Sequence, residues 1–137
     1  MVATTLATHG AAIIKDSSAK FNVRTEILNG SATVTPNGPS DLHGWVAFPI
    51  QSPPVDKPTL SNIKVNFTTY GASVSELQLW SANKPETSNF TALQERGSFE
   101  KSINTSFEGN GLLLGIKIAF DNLNGSITFQ SVAISAE

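Results

Sequence analysis

Apolar and polar residues trade places at every second position along much of the chain, the spacing of a strand with one buried face. In Phe21-Asn22-Val23-Arg24-Thr25-Glu26-Ile27 this turns Phe21, Val23 and Ile27 inward. Asn29-Gly30 offers the pair of positive-φ positions that a tight hairpin uses, and Ala32 to Thr35 reads as its returning strand. Gly44 to Ile50 is apolar on both faces. Pro49 has no N–H to give a ladder, which marks this segment as an edge or bulged strand. Ser52 to Pro58 is a stiff, extended crossover. Leu60 to Thr69 alternates again, Gly71 turns the chain, and Val74 to Trp80 sets Leu77 and Leu79 inward with Gln78 and Trp80 outward.

Asn83 to Asn89 is polar and reads as a connection, with the only helical turn expected near Thr87 to Leu93. Short strands are expected at Phe90 to Leu93 and Phe99 to Ile103, around Arg96-Gly97. After a turn at Glu108-Gly109-Asn110-Gly111, one face of the next strand collects Leu112, Leu114, Ile116, Ile118 and Phe120. Asp121 to Gly125 turns the chain into a last strand, Ile127 to Ile134. No apolar pattern of period 3.6 extends over ten residues. The pattern predicts an all-β fold, a two-layer antiparallel β-sandwich of jelly-roll type with about eight or nine strands. It is expected as a single domain over residues 1–137, with residues 1–8 a flexible tail before the apolar run Ala11 to Lys15.

Composition narrows the partners. Nine Lys and Arg residues against eleven acids give a net charge of -2, and the basic residues are scattered, so no basic face for nucleic acid is expected. Leu112-Leu113-Leu114-Gly115-Ile116 stops at Lys117, far short of the ~20 apolar residues of a membrane span. Zero cysteines exclude a disulfide framework, a thiolate zinc site and a thiol nucleophile. The N-terminal residues carry no secretory signal pattern, so a cytoplasmic location is expected. Secretion is the alternative, prompted by acceptor triplets at Asn29, Asn66, Asn89, Asn104 and Asn124.

His9-Gly10, the segment Gly44-Trp45-Val46-Ala47-Phe48-Pro49-Ile50 with Ser52-Pro53, and Phe67-Thr68-Thr69-Tyr70-Gly71 form an ordered set. This set resembles a family of small bacterial and fungal all-β domains with no assigned activity, which open with His-Gly and carry a Trp strand, a Pro-rich crossover and a Gly-rich C-terminal hairpin. Relatives often have a His two positions after the Trp, where this chain has Ala47, and a Pro after the Ile, where it has Gln51. The resemblance implies a sandwich and no established activity.

The candidate chemistry is thin. His9 and His43 are the only histidines, and together they would serve as base and acid, with Asp41 orienting His43 and Glu76 adding a carboxylate. The plainer reading makes both of them turn or loop residues. No metal site is expected from them, since HxH and HExxH spacings are missing, and no cofactor is implied. Oxygen-rich turns at Glu108 to Asn110 and Asp121 to Asn124 read as turn chemistry rather than calcium sites.

For ligand contact the candidates are Trp80, Tyr70, Trp45 and Arg24. Trp80 is the best stacking platform because it faces away from Leu77 and Leu79, whereas Trp45 is expected in the core. The leading functional expectation is a non-catalytic binding or assembly module that takes a small apolar molecule or a glycan and forms a homo-oligomer. The alternative is a small cofactor-free cyclase, isomerase or lyase acting on an apolar metabolite inside the sandwich.

Overall fold

The computed structural model describes residues 4–16, 20–51, 59–81, 84–106 and 111–136. Among them eleven strands form two antiparallel sheets, and no α-helix occurs. The strands are β1 (Thr4–His9), β2 (Ile14–Lys15), β3 (Phe21–Glu26), β4 (Ser31–Pro36), β5 (His43–Ile50) and β6 (Thr59–Tyr70). They continue with β7 (Ala72–Ser81), β8 (Lys84–Phe90), β9 (Gly97–Ser106), β10 (Leu112–Phe120) and β11 (Ser126–Ala136). One sheet runs β3-β4-β11-β6-β9 with β1 also on β11, and the other runs β2-β5-β10-β7-β8.

The core lies between the sheets. Leu112, Leu114, Ile116, Ile118 and Phe120 are all buried, as the alternation in β10 requires, and Ile127, Phe129, Val132, Ile134 and Ala136 of β11 oppose them. Phe48 of β5 meets Phe129 edge to face at 5.1 Å, and Phe21 of β3 meets Phe120 of β10 at 5.3 Å, so aromatic pairs join the two layers.

Several local expectations are corrected. Thr4–His9 is a strand paired with β11 from Ala136 to Ser131, not a tail. Its partners lie 122 to 132 residues away, beyond the reach of local pattern. The β3–β4 connection is a 3-10 turn over Ile27–Asn29 closed by Gly30 at φ 64, so Asn29 does not share the positive φ. Ile27 opens that turn and is 85% exposed rather than inward. Lys84–Phe90 is an edge strand despite its polar sequence, because backbone pairing with β7 supplies its order. The segment Phe90 to Leu93 is neither strand nor helical turn: β8 stops at Phe90, Ala92 adopts a left-handed φ of 56, and the Leu93 N–H bonds Ser75 O at 2.9 Å. The crossover at Ser52 to Pro58 lies outside the described residues.

β11 holds two strands end to end along one side, β4 against Ile127–Phe129 and β1 against Ser131–Ala136. Gly10 sits at the junction. A Cβ there would stand 1.8 Å from Phe129 O, so only glycine fits. The chain then makes a 3-10 turn over Gly10–Ala12 and enters the other sheet at β2. At one end of the sandwich, Arg96 donates to Asp121 Oδ2 at 2.9 Å and to Ala72 O at 3.2 Å. This joins three connections between the layers, β6–β7, β8–β9 and β10–β11.

Candidate functional site

The outer face of the five-stranded sheet carries a groove of about 440 Å³. Strand parity builds it. In β5, Val46, Phe48 and Ile50 are buried, which turns Trp45, Ala47 and Pro49 outward. In β10 the residues of outward parity are Leu113, Gly115 and Lys117, Gly115 being itself buried, and in β7 they include Glu76, Gln78 and Trp80. Ile14 of β2 pairs with Ala47 and adds an apolar flank, beside Asp16. Trp45 and Trp80 are both half-buried and both line the groove, as do Leu113 and Gly115. Trp45 is therefore not a core residue. The strand is apolar on both faces, so its sequence alone did not say which side pointed in.

β5 stands next to the edge, but β2 covers only Ala47 and Val46, which leaves Pro49 where β5 is outermost. That satisfies the missing N–H without a bulge. Glu76 belongs to the groove face, with its carboxylate 3.7 Å from Lys117 Nζ, and both side chains are about two-thirds buried. Trp45 pairs in register with Lys117, and Lys117 with Glu76, so a ring, a cation and a carboxylate stand side by side.

The other candidates lie elsewhere. His9 ends β1 in the six-stranded sheet, and its Nδ1 is 2.9 Å from where a Gly30 Cβ would stand, so the ring packs on the β3–β4 turn. His43 begins β5 and, by the same parity as Trp45, leaves the groove's own face of the sandwich, opposite the face of His9, without lining the groove. The two imidazoles point away from each other and form no acid–base pair. Asp41 sits in the turn after Gly38, its N–H bonded to Gly38 O at 3.0 Å. Arg24 is exposed on the edge strand β3, and Tyr70 is 73% exposed at the end of β6, both in the six-stranded sheet. Asp121 is held by Arg96 and Asn122 Oδ1 accepts from the Asn124 N–H, so that turn spends its oxygens internally. The turn at Glu108 to Asn110 lies outside the described residues. Among the described residues no group of three or more His, Asp or Glu is placed to hold a metal ion, and no helix is long and apolar enough to cross a membrane.

Sequence reasoning missed Gly115. Its signal was present: a glycine inside a central strand otherwise filled with Leu and Ile marks a place where something approaches the backbone closely.

No family model and no curated protein matches the chain. Solved structures do. The chain is similar to the family 36 carbohydrate-binding module of a multidomain xylanase from the hindgut metagenome of Trinervitermes trinervoides, at 10% identity and TM-score 0.53, covering 96% of each chain. It is similar to a low-affinity xylan-binding module of family 86 from Roseburia intestinalis, at 10% identity and TM-score 0.54, covering 98% of this chain and 96% of that one. A third likeness is to the C-terminal family 6 module of a laminarinase from Zobellia galactanivorans, at 11% identity and TM-score 0.53, covering 96% of this chain and 99% of that one. At such identities the likeness is one of fold, and it agrees with the two-layer antiparallel sandwich.

Proposed function

We propose that this protein is a non-catalytic module that binds polysaccharide in the groove on its five-stranded sheet. The observation that carries the reading is the placement of Trp45 and Trp80 on one outer face, at either end of a groove floored by Gly115. Half-buried indole rings hold their position and still offer a face, and a pyranose ring presents a patch of C–H groups that stacks on such a face. Gln78, Asp16 and the Lys117–Glu76 pair supply donors and acceptors for sugar hydroxyls. Sandwich modules named for xylan and other polysaccharides share the fold, which supports the reading without assigning the ligand.

The enzyme alternative is not favoured, since its proposed imidazole pair is split between opposite faces. The family of unassigned activity suggested by His9-Gly10 stays compatible with this reading, although here the dipeptide serves the passage between sheets. The groove lies within one chain, so a homo-oligomer is not required. The reading favours the secreted alternative over the cytoplasm, because polysaccharides are met outside the cell. Four of the five acceptor asparagines, Asn29, Asn89, Asn104 and Asn124, are exposed, while Asn66 is half-buried and donates to Ser131 Oγ at 2.9 Å.

Affinity electrophoresis in gels containing soluble xylan, β-glucan or mannan tests the reading. Retardation that disappears in Trp80→Ala supports it, and wild-type mobility in every gel rejects it. Ile14 and Leu113 also suit a small apolar ligand, and a thermal shift with aliphatic or aromatic probes but with no sugar would transfer the groove to that class.

A further inference from the structure

Three cross-strand rows make the groove, because residues paired between antiparallel strands stand side by side on one face. The middle row, Ile14–Ala47–Gly115–Gln78, is the floor. One wall is Trp45–Lys117–Glu76 and the other is Pro49–Leu113–Trp80. Trp45, Leu113 and Trp80 rise on the flanking rows, while the floor between Ile14 and the Gln78 amide holds only a methyl and a buried glycine. The trough therefore runs across the strands, not along them.

Gly115 is the midpoint of that floor. The six-membered ring of Trp45 leans over it, with Cε3 and Cζ3 each 3.5 Å from the place a Cβ would occupy, and Gln78 O is 3.5 Å away. A methyl there would make ordinary contacts, whereas a branched side chain would fill the trough and push against the indole.

We propose that Gly115 admits the ligand: having no side chain, it lets the Trp45 ring lie low over the middle of the floor, and an extended polysaccharide then lies across β5, β10 and β7 above it. Such a chain meets Trp45 on one wall near one end and Trp80 on the opposite wall near the other. This rests on reading the groove as a polysaccharide site. The two tryptophans stand two strand spacings apart along the trough and four residues apart across it, about 10 Å by about 13 Å. A pyranose unit advances by roughly one strand spacing, about 5 Å, so only a chain of several units touches both rings. Length and floor depth are thus the two properties the site selects.

Isothermal titration with cello-, xylo- and manno-oligosaccharides of two to six units tests this. For the sugar class that binds, affinity should rise at least about tenfold between the shortest and the longest member. Gly115→Val should weaken the longest member about tenfold or more while still giving a cooperative thermal melt, at a temperature lowered by the push on the indole. Gly115→Ala should fold as the wild type does and bind about threefold more weakly. A disaccharide binding as tightly as the hexasaccharide overturns the proposal. Wild-type affinity in a folded Gly115→Val, or in Gly115→Ala should the valine variant not fold, overturns it too. If Trp80→Ala loses binding in that case, the groove stands as the site and only the role of Gly115 falls. Absence of binding by the wild type to any of these sugars or to the parent polysaccharides removes the site reading itself.

Discussion

On the outer face of the six-stranded sheet, side chains answer one another. Thr33 and Thr128 share a hydrogen bond at 2.9 Å across β4 and β11, Asn66 donates to Ser131 at 2.9 Å across β6 and β11, and Lys64 stands 3.7 Å from Glu100 across β6 and β9. On the outer face of the five-stranded sheet, the same kind of strand presents Trp45, Leu113 and Trp80 around a glycine, with Ile14 at the flank. A face whose polar groups are paired with each other gains little from a partner. An apolar face with a gap in it leaves area in water that a ligand with its own flat C–H surface would cover. The difference lies in outward residues alone, since both sheets bury the same sort of Ile, Leu, Val and Phe inside.

The sharpest way to break this contrast is to remove both rings. Trp45→Ala and Trp80→Ala should each weaken polysaccharide binding by about 2 kcal/mol, roughly thirtyfold, and the double variant should show none by calorimetry while keeping its circular dichroism. Gly10→Ala works on the other sheet. Its methyl meets Phe129 O, and chemical denaturation should show a loss of about 2–3 kcal/mol in stability, with unchanged affinity in the protein that remains folded. Thr33→Ala should lower stability by about 1 kcal/mol by leaving Thr128 without its partner, and should not alter binding. Lys64→Ala, in an exposed ion pair, should move stability by less than about 0.5 kcal/mol. If Thr33→Ala weakened polysaccharide binding as much as Trp80→Ala, the ligand would belong to the polar face.

Legibility followed burial. In β6, β7 and β11 one side is oily and the other is largely polar, so strand, facing and even the outward turn of Trp80 could be read from alternation. In β5 the outward Trp45, Ala47 and Pro49 are as apolar as the inward Val46, Phe48 and Ile50, and parity carried no information. β1 is held by backbone pairing with a distant strand and β8 by pairing at the edge of its sheet, which leaves little imprint on local hydrophobicity. The histidines drew attention for their chemistry, but placement decides chemistry, and theirs was set by a passage between sheets that no spacing reveals. Gly115 was visible as a letter and became meaningful only beside its neighbours in register.

The guanidinium of Arg96 has a consequence for how the molecule comes apart. Three turns of chain converge on it, and both it and Asp121 are about half in contact with solvent, so dissolved ions weaken this clasp while leaving the aromatic pairs between the layers untouched. Raising ionic strength should free the Ala72, Arg96 and Asp121 segments to exchange their amide protons faster, well before the centre of the sandwich does. Fraying would thus begin at a corner chosen by one charged side chain, and the far end of β7, where Trp80 stands, would feel it last.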